Sequence, residues 1–389
     1  MVKSPPSHQE AESGSTFFAQ GYRKLTLMPS TESVSHSDLI VCACADQEYT
    51  ARDAIDAVIF RAELDAKWKE FLETVDAERR SKELNLDLDQ AAISSAMEAF
   101  RYEYDLITGE EAETWLANRG LTIDDFTDYF TRHYLASALH EEIVPVDVEY
   151  HSASAELREL FLSELILSGE FGRMTTALMW RLAARCAEKN PDPEAIAIAE
   201  QEFFDRNEIE PAQLSNWLDR LGRDSAWFET MLVIDAAYRT RRDTLLVPQA
   251  RLRELAALRL ALTQFEGEVI EFESRDAAKE ALFCVLEDGM SMEEVATEGR
   301  YPFRQVNFRL EDVPLDAQQR FLCVSAGQVL KPIDRGDGFA LYRILKKTEP
   351  HPDDPRVKAR IDQRLLDRHF SQLVGKYVKR WLGAPISAR

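Results

Sequence analysis

The spacing of hydrophobic positions divides the chain into regions of different structure. Residues 1–36 hold few apolar positions among Ser, Pro, Glu and Gln, which predicts a disordered tail. Leu-Ile-Val-Cys at 39–42 predicts a short strand, and Thr50 with Asp53 three residues later predicts a capped helix start. From residue 54 to about 140, apolar residues recur at steps of three and four, which indicates amphipathic helices.

One helical pattern occurs twice, about a hundred residues apart. Trp-Leu in a short helix precedes a glycine, first at Trp115 and Gly120 and again at Trp217 and Gly222. A glycine there suits the left-handed position just past a helix end, and a Thr or Asp then opens the next helix. We therefore expect a repeated pair of helices with facing apolar sides. A DNA-binding helix pair is disfavoured, because aspartates rather than Arg or Lys begin the second helix.

Beyond about residue 255 the pattern changes to a small mixed unit. Loosely alternating segments predict strands at 266–273, 305–310 and 338–346, and intervening segments predict helices at 275–287, 291–297 and 315–324. Residues 355–382 predict one long amphipathic helix. Its apolar side consists of Ile361, Leu365, Phe370, Leu373, Tyr377 and Trp381. Such an apolar side needs a covering surface, and we expect the helical region upstream to provide it.

Composition and charge narrow the class of partner. The net charge of −22 repels phosphate backbones, so we expect no nucleic-acid partner, whereas a polypeptide is an easier one. No stretch reaches about 18 apolar residues, and residues 1–24 lack the apolar core of a secretory signal, so we expect no membrane contact and a cytoplasmic location. The five cysteines are scattered. Cys42 and Cys44 suit packing on one strand face better than a redox or metal pair.

A resemblance to a known family comes from the end of the mixed unit. The run Ala-Gly-Gln-Val-Leu-Lys-Pro-Ile at 326–333, followed by Asp-Gly-Phe-Ala-Leu-Tyr at 337–342, resembles the end of a parvulin-type (PpiC) prolyl isomerase domain. Segments 277–279 and 288–296 resemble its first helix, loop and second helix, so the resemblance spans about 264–347. The two helical segments and the terminal helix resemble the arrangement in SurA-like chaperones.

The departures from that family concern its catalytic residues. The family's last-strand histidine position holds Tyr342, and its first-strand histidine position falls near Val269 or Ile270. No histidine lies between residues 152 and 350. The pocket positions that hold Met and Phe in the family fall near Asp312 and Asp316, an unfavourable floor for a proline ring. We expect no efficient lowering of the roughly 18–20 kcal/mol rotation barrier, although the Tyr342 hydroxyl remains in the old site.

The predicted fold is α+β and mostly helical. It comprises a SurA-like helical region with a duplicated unit, a small parvulin-like β-α-α-β-α-β domain and a C-terminal helix packed back on the helical region. The expected segments are a tail at 1–36, helical units at 37–145 and 146–255, the parvulin-like domain at 256–348 and the terminal helix at 349–389.

The expected function is a non-catalytic, or very weakly active, peptide-binding chaperone or accessory protein. Its context would be the maturation of a ribosomally made peptide, its partners a polypeptide or precursor peptide and a modifying enzyme. No catalytic residue, cofactor or metal ligand is assigned. A cleft between the helical segments and the parvulin-like domain would hold an extended peptide, with contacts from Tyr301, Phe303, Phe308, Phe339 and Tyr342. Two alternatives stay open: an active divergent isomerase that uses Tyr342 and a nearby carboxylate, and a scaffold that binds a folded modifying enzyme.

Overall fold

The computed structural model describes residues 36–140, 148–188 and 191–381. The fold is α+β and mostly helical, as predicted. The predicted tail lies outside the described residues apart from His36. The helices before the mixed unit are α1 (Ala51–Phe60), α2 (Asp65–Leu84), α3 (Gln90–Glu103), α4 (Gly109–Ala117), α5 (Ile123–Ala138), α6 (Ala155–Leu167), α7 (Glu170–Ala187), α8 (Pro193–Asn207), α9 (Leu214–Leu221), α10 (Ser225–Leu245) and α11 (Pro248–Leu258).

A small antiparallel sheet joins the two ends of the described chain. Its strands β1 (Ile40–Cys44), β2 (Gln47–Thr50) and β7 (Val378–Arg380) lie in the order β2-β1-β7. The predicted helix at 355–382 is therefore too long: α15 (Pro355–Tyr377) ends where the chain becomes β7. Residues 378–380 pair with the edge of β1 that β2 does not occupy. The helical periodicity of the sequence does not indicate that β1, more than 300 residues earlier, pairs with this segment.

The two cysteines of β1 are packing residues in this structure. Cys42 and Cys44 are both buried in the core of the helical region. Burial raises the pKa of each thiol to about 12. At neutral pH both are therefore protonated, which makes them poor nucleophiles and poor metal ligands.

The repeated helical pattern has the same geometry in both copies. Phe100 of α3 contacts Trp115 of α4 edge to face at 5.5 Å and Phe126 of α5 at 5.2 Å between ring centroids. In the second copy, the corresponding contacts of Phe203 with Trp217 and Phe228 measure 5.0 and 4.8 Å. The glycines after α4 and α9 have φ of 74° and 64°, and the side chains of Thr122 and Asp224 cap α5 and α10. Local capping and one aromatic cluster thus define each copy.

The C-terminal helix packs on the helical region, as predicted. Phe370 of α15 stacks on Trp180 of α7 at 5.3 Å and contacts Tyr238 of α10 at 4.9 Å between centroids. Arg251 of α11 pairs with Asp362 at 2.6 Å, and Glu254 accepts hydrogen bonds from Arg368. Phe370 is fully buried, so the apolar side of α15 contributes to the core rather than to an exposed surface.

Residues 264–348, which we call the β-unit, contain the second sheet and the helices that pack on it. In chain order they comprise β3 (Gln264–Phe272), α12 (Arg275–Leu286), α13 (Met292–Gly299), β4 (Phe303–Arg309), α14 (Leu315–Cys323), β5 (Ile333–Asp334) and β6 (Phe339–Thr348). The strands lie in the order β4-β3-β6-β5, and every neighbouring pair is antiparallel. The predicted elements are present, with the two-residue β5 as an addition. The predicted segment boundaries remain predictions.

Candidate functional site

The register of the sheet separates the five aromatic candidates onto its two faces. Tyr342 pairs with Val269 across β6 and β3, and Phe308 pairs with Phe265 across β4 and β3. Because successive side chains of a strand point to opposite faces, these four residues share one face. Phe303 and Phe339 pair with Ile270 and Phe272, which lie on the other. We call the first the Tyr342 face and the second the helix-covered face.

The helix-covered face holds three of the candidates. Tyr301 packs on Phe272 at 4.6 Å between ring centroids. Phe303 and Phe339 are partly buried in the same cluster, which α12 and α13 cover with residues such as Ala278 and Met292. These three aromatic residues pack against the core in this structure. Their predicted role in peptide binding remains a prediction.

The Tyr342 face carries an aromatic cluster. The Tyr342 ring lies 5.3 Å from Phe321 and 6.2 Å from Phe308, and Phe321 lies 5.3 Å from Phe308, all between ring centroids. Phe321 comes from α14 and is buried, whereas Tyr342 and Phe308 are only half-buried. The result is an apolar surface beside the tyrosine, anchored by one helix.

The expected acidic floor is not found beside Tyr342. Asp312 is exposed and accepts the backbone N–H of Arg309 at 2.9 Å, and Asp316 is exposed in the first turn of α14. The buried positions are Val313 and Ala317, one residue further along in each case. Helical periodicity then carries the buried side of α14 from Ala317 to Phe321. The surface next to Tyr342 is therefore aromatic rather than acidic.

A charged group lies along the same sheet face. The carboxylate of Glu271 pairs with Arg304 at 2.7 Å and with Arg335. Burial raises the pKa of Tyr342 above its ordinary value of 10, Arg335 and Arg304 lower it, and Glu271 raises it. The Tyr342 phenol therefore remains neutral at physiological pH and can donate a hydrogen bond. The negative charge of Glu271 is balanced by its ion pairs with two guanidinium groups.

The two edges of the sheet differ. The family-like run at 326–333 covers the edge of β6: Gly327 donates to the carbonyl of Ile344 at 2.6 Å and Leu330 to that of Tyr342 at 2.8 Å. At the opposite edge, β4 is a seven-residue strand that no other strand of the described ranges pairs on its outer side. Phe308 lies on this edge strand. The backbone of β4 is thus available to an added strand.

A separate cleft of about 640 Å³ lies in the helical region. Trp68, Tyr150 and Trp217 line it together with Arg206 and Arg220. All of its lining residues precede residue 221, so the β-unit takes no part in it. It therefore differs from the predicted cleft, which was expected between the helical segments and the β-unit.

Sequence patterns missed Glu271, Arg304, Arg335 and Phe321 as neighbours of Tyr342. Glu271 is two residues beyond Val269, and period-two alternation alone would have placed it on the same face. Arg304 and Arg335 required the register of β4 and the path of the β5 turn. Phe321 required the side on which α14 crosses the sheet, which depends on tertiary packing.

Neither a metal-holding cluster nor a membrane-spanning helix occurs among the residues that the structure describes. No group of three or more His, Cys, Asp or Glu residues there is placed to hold a metal ion. None of the helices in those ranges is long and apolar enough to cross a membrane.

No protein-family model matches the chain, and no curated protein matches its sequence. Solved structures of peptidylprolyl isomerase PrsA are similar to it. The PrsA structure from Bacillus anthracis is 16% identical, with 52% of this chain and 94% of that chain covered and a TM-score of 0.28. The PrsA structure from Bacillus cereus is 12% identical, with 59% and 89% covered and a TM-score of 0.34.

A third similar structure belongs to a study of two SurA-like chaperones, PEB4 and Cj1289, of Campylobacter jejuni. It is 8% identical, with 52% of this chain and 84% of that chain covered and a TM-score of 0.19. The chain is thus similar in structure to PrsA foldases and SurA-like chaperones at low sequence identity.

Proposed function

We propose that this protein is a peptide-binding chaperone or accessory factor without efficient prolyl isomerase activity. Its ligand is an extended polypeptide segment. The proposal rests mainly on one observation: the half-buried aromatic surface of Tyr342 and Phe308 lies next to the edge strand β4. No other strand of the described residues pairs with the outer side of β4. Main-chain pairing with β4 would supply affinity, and the aromatic surface would select apolar side chains.

The weak-catalysis part of the proposal rests on the residues beside Tyr342. Polarising a prolyl amide requires desolvated donors or charges that are free to interact with it. Tyr342 offers one neutral hydroxyl, Val269 opposite it is apolar, and the charge of Glu271 is shared between Arg304 and Arg335. With these residues beside Tyr342, we expect the protein to bind a peptide without appreciable isomerisation of its prolyl bonds.

The cellular setting is also proposed. The free cysteines suit a reducing cytoplasm, and a precursor of a ribosomally made peptide is the client that we favour. A modifying enzyme acting on the same precursor would then be a second partner.

Binding is tested with reduced, carboxymethylated α-lactalbumin as the unfolded probe. We expect Tyr342→Ala to raise its Kd about tenfold, as loss of an aromatic contact in a binding surface does. Tyr102→Ala is the matched control, since Tyr102 is 65% exposed on α3, outside the β-unit. Equal binding by both variants and the parent chain would contradict the proposal. Binding to folded proteins alone would favour the scaffold alternative.

An active isomerase is a second candidate function, because Phe308 and Phe321 form an apolar surface beside the Tyr342 ring. A protease-coupled assay with an Ala-Pro peptide separates the two. We expect no rate above the uncatalysed one. A clear acceleration that is lost in Tyr342→Phe would establish the isomerase instead.

A further inference from the structure

A groove on the β-unit combines an apolar floor with a basic rim. Its volume is about 580 Å³, and it lies between α12, α14 and the segment before β5. The floor is formed by Leu282, Phe283, Val324, Leu330 and Pro332. The rim carries Arg275, Lys279, Arg320 and Lys331. The volume is that of a ligand-sized site.

The charge of this groove is opposite to that of the whole chain. All four charged residues that line it are cations, whereas the chain has 69 acidic and 47 basic residues and a net charge of −22. Chance placement of surface charges on so acidic a chain would favour carboxylates at such a groove. Positive potential is therefore concentrated at one apolar surface.

Three of these four cations lack an acidic partner in the part of the chain that the structure describes. Lys279 pairs with Asp276 at 3.1 Å, and that carboxylate is 93% exposed. Arg275, Arg320 and Lys331 form no ion pair with any residue in the described ranges. Arg320 donates only a long hydrogen bond of 3.4 Å to the carbonyl of Pro332. Three guanidinium or ammonium groups thus remain available to carboxylates from outside.

The exposed outer side of α12 contributes apolar surface at the groove. Phe283 is 63% exposed, and Leu286 on the next turn of α12 is 59% exposed. Bulky side chains that are exposed together and surrounded by charge are typical of interaction surfaces. The inner side of α12, at Ala278 and Ala281, packs against the sheet, so its outer side is free to contact a ligand.

We propose that this groove binds polypeptide segments in which Asp or Glu residues alternate with bulky apolar residues. The apolar side chains would cover the exposed Phe283, and the carboxylates would pair with the rim. A nucleic acid fits less well, because its many phosphates would meet the strongly negative remainder of the protein. This inference deepens the proposed function, on which it rests for the polypeptide nature of the ligand. Its lining includes neither Tyr342 nor Phe308, although Leu330 and Val324 pack into the same apolar cluster as Tyr342.

The test uses the full chain and two fluorescein-labelled synthetic peptides of 12 residues each. The first contains Asp, Glu, Leu and Phe, and the second has Lys in place of every acid. By fluorescence anisotropy we expect only the acidic peptide to bind, and its Kd to rise at least about fivefold between low salt and ~0.5 M NaCl. The double variant Lys279→Glu with Lys331→Glu should raise the Kd for the acidic peptide at least about tenfold. Phe283→Ser should raise the same Kd at least about tenfold at both low and high salt.

Matched controls keep the test specific. Lys358→Glu with Lys379→Glu changes the net charge by the same amount at exposed positions outside the groove, and Leu315→Ser removes a leucine that is 86% exposed. We expect both to bind the acidic peptide as the parent does, and circular dichroism to show every variant folded. Absence of acidic-peptide binding, or an equal loss in groove and control variants, would overturn the inference.

The outcome is separable from that of the proposed function. Lys279→Glu with Lys331→Glu should raise the Kd for the acidic peptide more than Tyr342→Ala does, because Tyr342 does not line the groove. If unfolded α-lactalbumin binds through Tyr342 while groove variants bind the acidic peptide normally, only the groove inference fails. If binding occurs to vesicles of anionic lipid but not to the peptide, the ligand class is wrong.

Discussion

Tyr342 on β6 stands directly opposite Val269 on β3, in the register of the antiparallel pair. The sequence left the first-strand position open between Val269 and Ile270. The register assigns Val269 to the face of Tyr342, because Ile270 pairs with Leu341 and points to the other side. A tyrosine and a fully buried valine thus occupy the positions at which the parvulin resemblance expects two histidines. Binding through an aromatic surface remains compatible with this pair, whereas an imidazole relay does not.

Phe321 should be essential for both the stability and the shape of the Tyr342 face. Because its ring is buried against Phe265, Phe308 and Tyr342, Phe321→Ala leaves a cavity. We expect the free energy of unfolding to fall by about 3–5 kcal/mol in urea titrations. Leu315→Ala on the same helix is the control, since Leu315 is 86% exposed and its loss should change stability by no more than about 0.5 kcal/mol. Similar effects of the two changes would contradict the packing described.

Gly267 should resist substitution because of a close backbone approach. A Cβ atom at this position would overlap the carbonyl oxygen of Arg343, at an irregularity in the pairing of β3 with β6. We expect Gly267→Ala to lower the free energy of unfolding by about 1–3 kcal/mol, measured by chemical denaturation. Gly375→Ala should instead raise it by up to about 1 kcal/mol, since Gly375 lies in α15 with open space around it. If Gly267→Ala left the free energy of unfolding unchanged, β3 and β6 would be able to move apart at this position without loss of stability.

Phe370 should hold the C-terminal helix on the helical region. Its ring is fully buried between Trp180 and Tyr238, so Phe370→Ala should cost about 3–5 kcal/mol of stability and change the fluorescence of Trp180. Ser371→Ala, at the exposed neighbouring position, should change neither. If limited proteolysis released residues 355–381 equally from both variants, the docking of α15 would not depend on this contact.

His369 should make the stability of the protein depend on pH. Its Nε2 atom is buried without a hydrogen-bond partner among the described residues, and burial together with Arg241 lowers the pKa of the imidazole below the ordinary 6.5. The unfolded chain then takes up a proton at a higher pH than the folded chain does. This contribution to stability is complete above about pH 6.5 and is lost as the pH falls through the folded-state pKa.

Thermal unfolding at about pH 7.5 and about pH 5.5 tests this linkage. We expect the parent chain to lose more stability on acidification than His369→Gln does. His351→Gln is the control, because the His351 side chain is 71% exposed. An equal loss in the parent chain and in His369→Gln would show that this imidazole is not the group responsible.

Local sequence signals predicted most elements and their ends. The capping box at Thr50, the left-handed glycines at 120 and 222 and the caps at Thr122 and Asp224 are all present. These signals are reliable because the hydrogen bonds that satisfy a helix end come from residues within a few positions. The prediction of an acidic floor failed by a single residue at Asp312 and Asp316, since counting along a turn cannot fix which side of α14 meets the sheet.

The sequence by itself determined the helices, the repeated Trp-Gly pattern, the order of elements in the β-unit and the absence of histidines from residues 152–350. Periodicity and capping act over one or two turns, so one chain segment suffices to express them. Only the tertiary structure decided that Tyr342 and Phe308 share a face, that Phe303 and Phe339 lie behind it and that residues 378–380 complete a sheet with β1. Strand register and the burial of a helix side depend on contacts between residues far apart in the chain, and local patterns do not encode which distant partner is met.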